Sequence, residues 1–381
     1  MKICIISNTN ELPYGASTRP YYISKYLSQF GHELMHICNV DKTSLFWQNN
    51  EDNTIRYINK SYSKCKIKII RKLRNAIYLY KKIRQFNPDI IYPHQFDNAK
   101  ISLQLKKVLN KKIIYDAHSS VFLELSCGPT TFNIDKLKKI KRKENEVLNK
   151  VDRIITVSNE TKKCFVDSLN IPPNKIDIVK NGVETSDFKP KDKNREILKK
   201  LGIIHNQNIC VFTNPRGTFD QNDLALDYFF EIIPDIEKRI DNVKFLILGG
   251  GPEPDPPSKN VIYTGFVEDL PTYINLANVC VAPFPPRAVC GGTRNKICEY
   301  LACGKPIVST EEGMKGFDEA IPGKHYLLGI DKDDFVDKMM YCFNNVEKAK
   351  KIGKNARELS KNYDWKVLSK KVEKNLNNLL E

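Results

Sequence analysis

The stretch CGGTRNKICEYLACGKPIVST, residues 290–310, holds the densest set of side chains able to do chemistry. Thr293 reads as a helix N-cap, which puts Arg294, Asn295 and Lys296 in the first turn. Such a turn offers free N–H groups, roughly half a positive charge from the helix dipole, and here two cationic side chains. A phosphate or diphosphate fits there. Gly292, following Gly291, would let that ligand come close to the backbone. Asn295 and Glu299 lie four apart on one helical face, away from the apolar stripe of Ile297, Cys298 and Leu301. A carboxylate one turn behind a phosphate site is placed to accept hydrogen bonds from ribose hydroxyls. The plain alternative is a glycine loop followed by a solvent-exposed helix glutamate.

Other candidates stand just past apolar runs. Asp116 and His118 close KIIYDAH, and Arg216 follows NICVFTN in FTNPRGTFD. The long loop after the first apolar run contains one glycine, Gly15, so it is not the fingerprint G-x-G-x-x-G and argues against NAD.

These groups need elements to hold them. The runs KICIIS, ELMHIC, DIIYPH, KIIYDA, RIITVS and IDIVKNGV read as strands in the first half, separated by helical patterns such as STRPYYISKYLSQFG, closed by Gly31. A polar stretch with a short helical pattern, ETSDFKPKDKNREILKKLG, follows as a linker. The alternation then restarts with NICVFTN, VKFLILGGG, VIYTGF, VCVAPF and PIVST, and the chain is helical from about Asp333. The pattern predicts an α/β protein of two Rossmann-like domains whose parallel sheets face each other across a cleft. In such sheets ligands sit outside the carboxyl ends of the strands. The expected organisation is a first domain over 1–188, a linker over 189–206, a second domain over 207–360, and a C-terminal helix over 361–381 that crosses back to the first domain.

The bulk numbers agree with two globular domains: 381 residues, 41% hydrophobic and 28% charged. No apolar run is long enough to span a membrane, and MKICIISN reads as a first strand rather than a signal peptide, which implies a cytoplasmic chain. The eleven cysteines sit inside apolar runs without zinc-ligand spacing, so they read as reduced, buried small hydrophobes. The net charge of +16 is concentrated in the first half: residues 1–188 hold 32 Lys and Arg against 18 Asp and Glu. That surplus attracts anionic partners such as phosphates or an acidic membrane face. No reader motif accompanies it, so nucleic acid is not expected. The segment with Ile67, Ile70, Leu73, Ile77 and Tyr80 among basic residues suits an interfacial helix or, equally, an ordinary core-facing one.

The stretch around Glu299 resembles the C-terminal signature of the family 4 retaining glycosyltransferases, which have the GT-B architecture. SNTNELPYGASTRPYYISKYLSQFGHEL, NPDIIYPH, KKIIYDAHSS, DRIITVSNETKK, NKIDIVKNGVETSDFKP, FLILGGGPEP and VIYTGFVEDLPTYINLANVCVAPF follow in the family's order, so the resemblance spans nearly the whole chain. Many members carry two glutamates separated by seven residues; here the first position is Gly291. A Gly-Thr-x-x-Lys version in part of the family is similar to Gly292–Lys296.

The resemblance implies that Gly292, Thr293, Arg294, Asn295 and Lys296 hold the donor diphosphate and Glu299 the ribose. The backbone at Phe266 and Val267 would meet the base, Arg216 the diphosphate, and Gly15 the donor phosphate or the acceptor. His118 would contact the donor sugar near the reacting carbon, with Asp116 positioning its loop, while Ser17 and Arg19 would line the acceptor side. No metal and no cofactor beyond the nucleotide sugar are implied. The D-x-D of the other large glycosyltransferase class has its nearest counterpart in DKDD at 331–334, which reads as a helix N-cap.

The implied activity is retaining, hexosyltransferase-type transfer to a glycan or lipid-linked acceptor in cell-surface polysaccharide or glycoconjugate synthesis, at the inner face of the membrane. An epimerase or phosphorylase of the same fold, or a non-catalytic glycan-binding relative, is the alternative.

Overall fold

The computed structural model describes residues 1–8, 17–39, 55–60, 68–127, 133–204, 206–217 and 220–381. Gly15 and Ile67 lie outside the described residues.

The first sheet is built from β1 (Lys2–Ile6), β2 (Glu33–Cys38), β3 (Ile55–Asn59), β4 (Ile90–Pro93), β5 (Lys112–Ala117), β6 (Arg153–Thr156) and β7 (Ile176–Ile178). Their order is β3-β2-β1-β4-β5-β6-β7, with every neighbouring pair parallel. Strands buried on both faces read as continuous apolar runs, and β1 and β4 do so. The second sheet contains β8 (Asn208–Thr213), β9 (Val243–Leu248), β10 (Val261–Gly265), β11 (Val279–Ala282), β12 (Ile307–Ser309) and β13 (Leu327–Leu328). It repeats the scheme as β10-β9-β8-β11-β12-β13, again all parallel. In each sheet the strand order reverses beside the first strand, between β1 and β4 and between β8 and β11. These are the switch points where an open parallel sheet leaves a crevice for ligands.

The chain forms two compact units. One takes its residues from Met1–Leu125, from the stretch ending at Lys180 and from Trp365–Glu381; the other is chiefly Asn181–Asp364. The division after Lys180 comes earlier than the boundary expected at 188. Asn181 gives its backbone N–H to the Thr293 hydroxyl and its side-chain amide to the Thr293 carbonyl, both at 3.0 Å, so it belongs to the second unit. At the other end, Tyr363 is buried in the second unit's core, and the segment that joins the first unit begins at Trp365 rather than 361.

One face of the first sheet is covered by the helices Thr18–Gln29 and Trp365–Leu380. Trp365 stacks on Tyr22 at 5.8 Å, and Leu368, Val372 and Leu376 follow it into the same core. The other face packs the helix Lys68–Phe86 through Leu79, Ile83 and Phe86. Of the apolar series expected for that helix, Ile77 is 47% exposed and Tyr80 half-buried. The expected linker carries the helix Arg195–Lys200, capped by the Asn194 side chain. Among the described residues no helix is long and apolar enough to cross a membrane.

Candidate functional site

In the second unit, the helix Asn295–Ala302 stands beyond the carboxyl end of β11. Its apolar face is Ile297, Cys298, Tyr300 and Leu301, all fully buried. The Tyr300 hydroxyl accepts from the Thr213 N–H at 2.6 Å, tying the helix to the end of β8. Gly304 ends it at φ 65°, a left-handed position that glycine adopts at little cost. The N-cap is Arg294, one residue later than expected. The Thr293 hydroxyl is engaged by Asn181 and does not cap.

Lys296 is the cation this helix offers. It is nearly buried, its Nζ lies 3.2 Å from the Asn222 side-chain oxygen, and it sits over the rings of Phe284 and Phe212 at 4.8 and 5.0 Å. Burial, reinforced by the charge of Arg294, lowers its pKa to about 7, while Glu299 pulls the other way. Glu299, half-buried one turn on, is pushed up to about 7 by burial, against the pull of Lys296. The ammonium is therefore only partly charged near neutrality, and an anion arriving beside it would draw a proton onto it. Asn295 shares the half-buried face with Glu299, and Gly292 is buried in the loop before them.

The two arginines are committed elsewhere. Arg294 lies over the Phe284 ring at 3.9 Å and donates to the carbonyls of Glu312 and Ala288 at 2.6 and 2.7 Å. It also meets the Glu312 carboxylate at 3.3 Å, which accepts from the Cys290 N–H as well. Arg294 thus latches the glycine loop to the segment after β12, and it is no free phosphate ligand here. Arg216 is buried over Tyr263, with Nε 2.6 Å from the Pro252 carbonyl and further contacts to the carbonyls of Asn214 and Gly251. A side chain at Gly251 would run into the Arg216 backbone, so the GGG turn and the arginine loop fit each other closely. Beyond β10, Phe266 is 55% exposed and Val267 half-buried, an apolar ledge open to a flat ligand. The DKDD segment is spent as foreseen: the Asp331 carboxylate caps the helix Lys332–Asn344 by accepting from the Asp334 N–H at 2.8 Å.

The first unit gathers a second cluster at the carboxyl ends of β4 and β5. Asp116 is fully buried, and its Oδ1 takes an N–H of Arg19 at 2.8 Å while Oδ2 accepts from the Tyr92 hydroxyl. Burial works against its ionisation, but the charge of Arg19 overcomes this and holds its pKa near 2. Arg19 is itself buried and also donates to the Lys180 carbonyl at 2.9 Å, so it lies inside the fold rather than on an acceptor wall. Ser17 is buried at the entry of the same helix. His118 keeps partial exposure, and its Nε2 meets Nδ1 of the fully buried His94 at 3.1 Å. Burial lowers both imidazoles, His118 to about 4, which leaves them neutral at physiological pH.

His94, Asp116 and His118 bring ligand-capable atoms within 4.8 Å of one another. Both Asp116 oxygens are already hydrogen-bonded, and a divalent cation there would sit beside a buried guanidinium, so the geometry favours a hydrogen-bonded network over a metal centre. Tyr92 and His94 were not singled out in DIIYPH. The clue was positional: they end a strand that pairs directly with the one carrying Asp116.

Two family models match this chain. The model of Glycosyltransferase Family 4 matches residues 13–187, and that of Glycosyl transferases group 1 matches residues 215–345. The chain belongs to the group 1 / family 4 glycosyltransferases.

Among curated relatives, the phosphatidylinositol N-acetylglucosaminyltransferase GPI3 subunit of Saccharomyces cerevisiae is 25% identical over 242 residues, 59% of this chain and 50% of that protein. The chain thus matches about half the length of that relative. The UDP-Gal:alpha-D-GlcNAc-diphosphoundecaprenol alpha-1,3-galactosyltransferase of Escherichia coli is 24% identical over 273 residues, 65% of this chain and 64% of that protein. Among solved structures, Anabaena Alr3699/HepE in complex with UDP superposes with a TM-score of 0.75 at 15% identity, covering 99% of this chain and 100% of that one. These glycosyltransferase neighbours place the two Rossmann-like units of this chain in the GT-B class.

Proposed function

We propose that this glycosyltransferase moves a hexose from a uridine diphosphate sugar to a glycan or lipid-linked acceptor, with retention of anomeric configuration and without a metal. The observation that carries the reading is the helix Asn295–Ala302, whose first turn holds the half-charged, desolvated Lys296 and whose second holds Glu299. A diphosphate at that N-terminus would be met by N–H groups and by an ammonium that gains full charge as the anion binds. Glu299 would accept from the ribose hydroxyls, and Phe266 with Val267 would cover the base. The choice of uridine rests on a relative named for UDP-galactose and a neighbour solved with UDP.

In the reaction, the bond from the sugar's anomeric carbon to the diphosphate oxygen breaks and a bond to the acceptor oxygen forms on the same face. The acceptor's proton leaves with the diphosphate. Lys296 stabilises the charge that grows on the leaving group, and His118 acts on the sugar as an orienting hydrogen-bond partner rather than a nucleophile. Arg216 and Arg294 hold the loops that shape the donor site. The basic first half favours work at an anionic membrane face, which suits a lipid-linked acceptor in cell-surface glycoconjugate synthesis.

The test is turnover. The protein is incubated with UDP-hexoses and a diphosphoundecaprenol-linked sugar in the presence of a chelator, and the product's anomeric configuration is read by NMR. A glycoside with the donor's configuration is expected. An inverted product would overturn the retaining reading, and epimerised or phosphorolysed donor without transfer would replace it with the isomerase or phosphorylase alternative.

A further inference from the structure

We infer that His94 is a positioning residue that fixes the tautomer of His118, so that His118 presents Nδ1–H as a hydrogen-bond donor to its ligand. The inference concerns a residue that the proposed function assigns to the sugar, and it rests on that reading for its catalytic meaning only.

The geometry is a short chain of rings. His94 Nδ1 and His118 Nε2 lie 3.1 Å apart, a hydrogen-bond distance, with the two rings nearly perpendicular. Both imidazoles are held neutral by burial and by the nearby Arg19 charge, so each ring carries one proton. One of the two facing nitrogens must therefore hold a proton and the other a lone pair. Asp116 does not choose between them: its oxygens lie 3.9 Å from His94 Nδ1 and 3.8 Å from His118 Nε2.

The choice is made at the far side of His94. Its Nε2 is buried and has no hydrogen-bond partner among the described residues. Were His118 the donor, His94 would have to carry its own proton on Nε2, leaving an N–H buried without an acceptor. Orphaned buried N–H groups are the rarer and costlier defect. The alternative leaves only a lone pair on Nε2. His94 thus holds its proton on Nδ1 and donates it to His118 Nε2. His118 Nε2 is then filled as an acceptor, and its single proton sits on Nδ1.

The backbone supports a fixed setting for His94. Its own N–H donates to the Ile6 carbonyl at 2.8 Å, its carbonyl accepts from the Asn98 side chain at 2.7 Å, and the next residue, Gln95, holds a left-handed φ of 69°. A non-glycine residue in that region is held there by its surroundings. The ring also rests on Tyr92, whose hydroxyl is bound to Asp116. One buried unit thereby holds Asp116, Tyr92 and His94 together, with His118 as its partly exposed end.

The experiment is nitrogen NMR on the full chain with 15N-labelled histidine, assigned through His94→Leu, His94→Asn and His118→Gln. We expect His118 Nδ1 to be protonated and Nε2 bare, with His94 protonated at Nδ1. In His94→Leu the His118 signals should become those of a mixed tautomer, and kcat should fall about 10- to 100-fold with the donor KM little changed. Asparagine, whose amide N–H takes the place of Nδ1–H, should restore the His118 tautomer and part of the rate.

A proton on His118 Nε2 in the wild type would overturn the inference. So would both facing nitrogens bare together with a bound metal that a chelator removes. If the tautomers are as stated but no donor is turned over, the proposed function fails while this inference stands.

Discussion

Arg19 and Asp116 form an ion pair at 2.8 Å in which both side chains are almost completely buried. Burial alone would raise the carboxyl, yet the guanidinium holds it near 2, below its ordinary value of 3.8. The folded pKa is lowered, so this group's contribution is present above the ordinary carboxylate range and is lost as the pH falls toward about 2. Removing one partner leaves a buried charge unpaired, which typically costs about 3–5 kcal/mol. Asp116→Ala and Arg19→Ala should therefore each lower the urea midpoint strongly, and the double variant should lose less than the sum. Additive losses would contradict a coupled pair.

The pair Lys296 and Glu299 predicts a proton balance on nucleotide binding. With both groups near 7 in the free protein, binding at about pH 8 should take up a proton, because Lys296 starts mostly neutral and ends charged. At about pH 6 the sign should reverse, because Glu299 starts mostly protonated and ends ionised on the ribose. Calorimetry with UDP in buffers of different ionisation heat reads this directly. Lys296→Arg should abolish the uptake above pH 7 and leave the release below it.

Arg216 should behave as a structural residue. Three carbonyls, those of Pro252, Asn214 and Gly251, surround its guanidinium. Arg216→Ala should lower the melting temperature, with a loss of about 1–3 kcal/mol for the buried acceptors left behind. UDP affinity in the variant that remains folded should keep most of its salt dependence. A collapse of that salt dependence with unchanged stability would make Arg216 a diphosphate ligand.

His118 should be read in turnover rather than in binding. It keeps partial exposure and its Nε2 meets His94 Nδ1, so the stability cost of His118→Ala should be confined to that one buried hydrogen bond, about 1–3 kcal/mol. Turnover should fall by about 10²–10³-fold, as for one hydrogen-bond donor lost from a transition state, while UDP binding stays unchanged.

These contrasts show what was legible in the residues and what was not. The strand runs KICIIS, DIIYPH, KIIYDA and NICVFTN declared themselves because parallel strands are apolar on both faces. β3 was overlooked because IRYIN alternates polar and apolar residues on an edge, and β13 because two residues carry no period. The helix after GGT was readable from its glycine stop and its spaced carboxylate, although its N-cap falls one residue after the expected Thr293. The fate of the arginines was not: Arg216 and Arg294 are bound to backbone carbonyls, which every residue possesses and no sequence motif marks. His94 was hidden for a related reason, since only the pairing of β4 with β5 brings it to His118.

The central claim is that the turn from Lys296 to Glu299 binds a nucleoside diphosphate, and thermal unfolding of the wild type and of Glu299→Ala with UDP tests it most directly. At about 100 times its dissociation constant, UDP should stabilise the wild type by about 2.7 kcal/mol, and Glu299→Ala should lose most of that shift. An equal shift in both proteins, or none in either, would contradict the account.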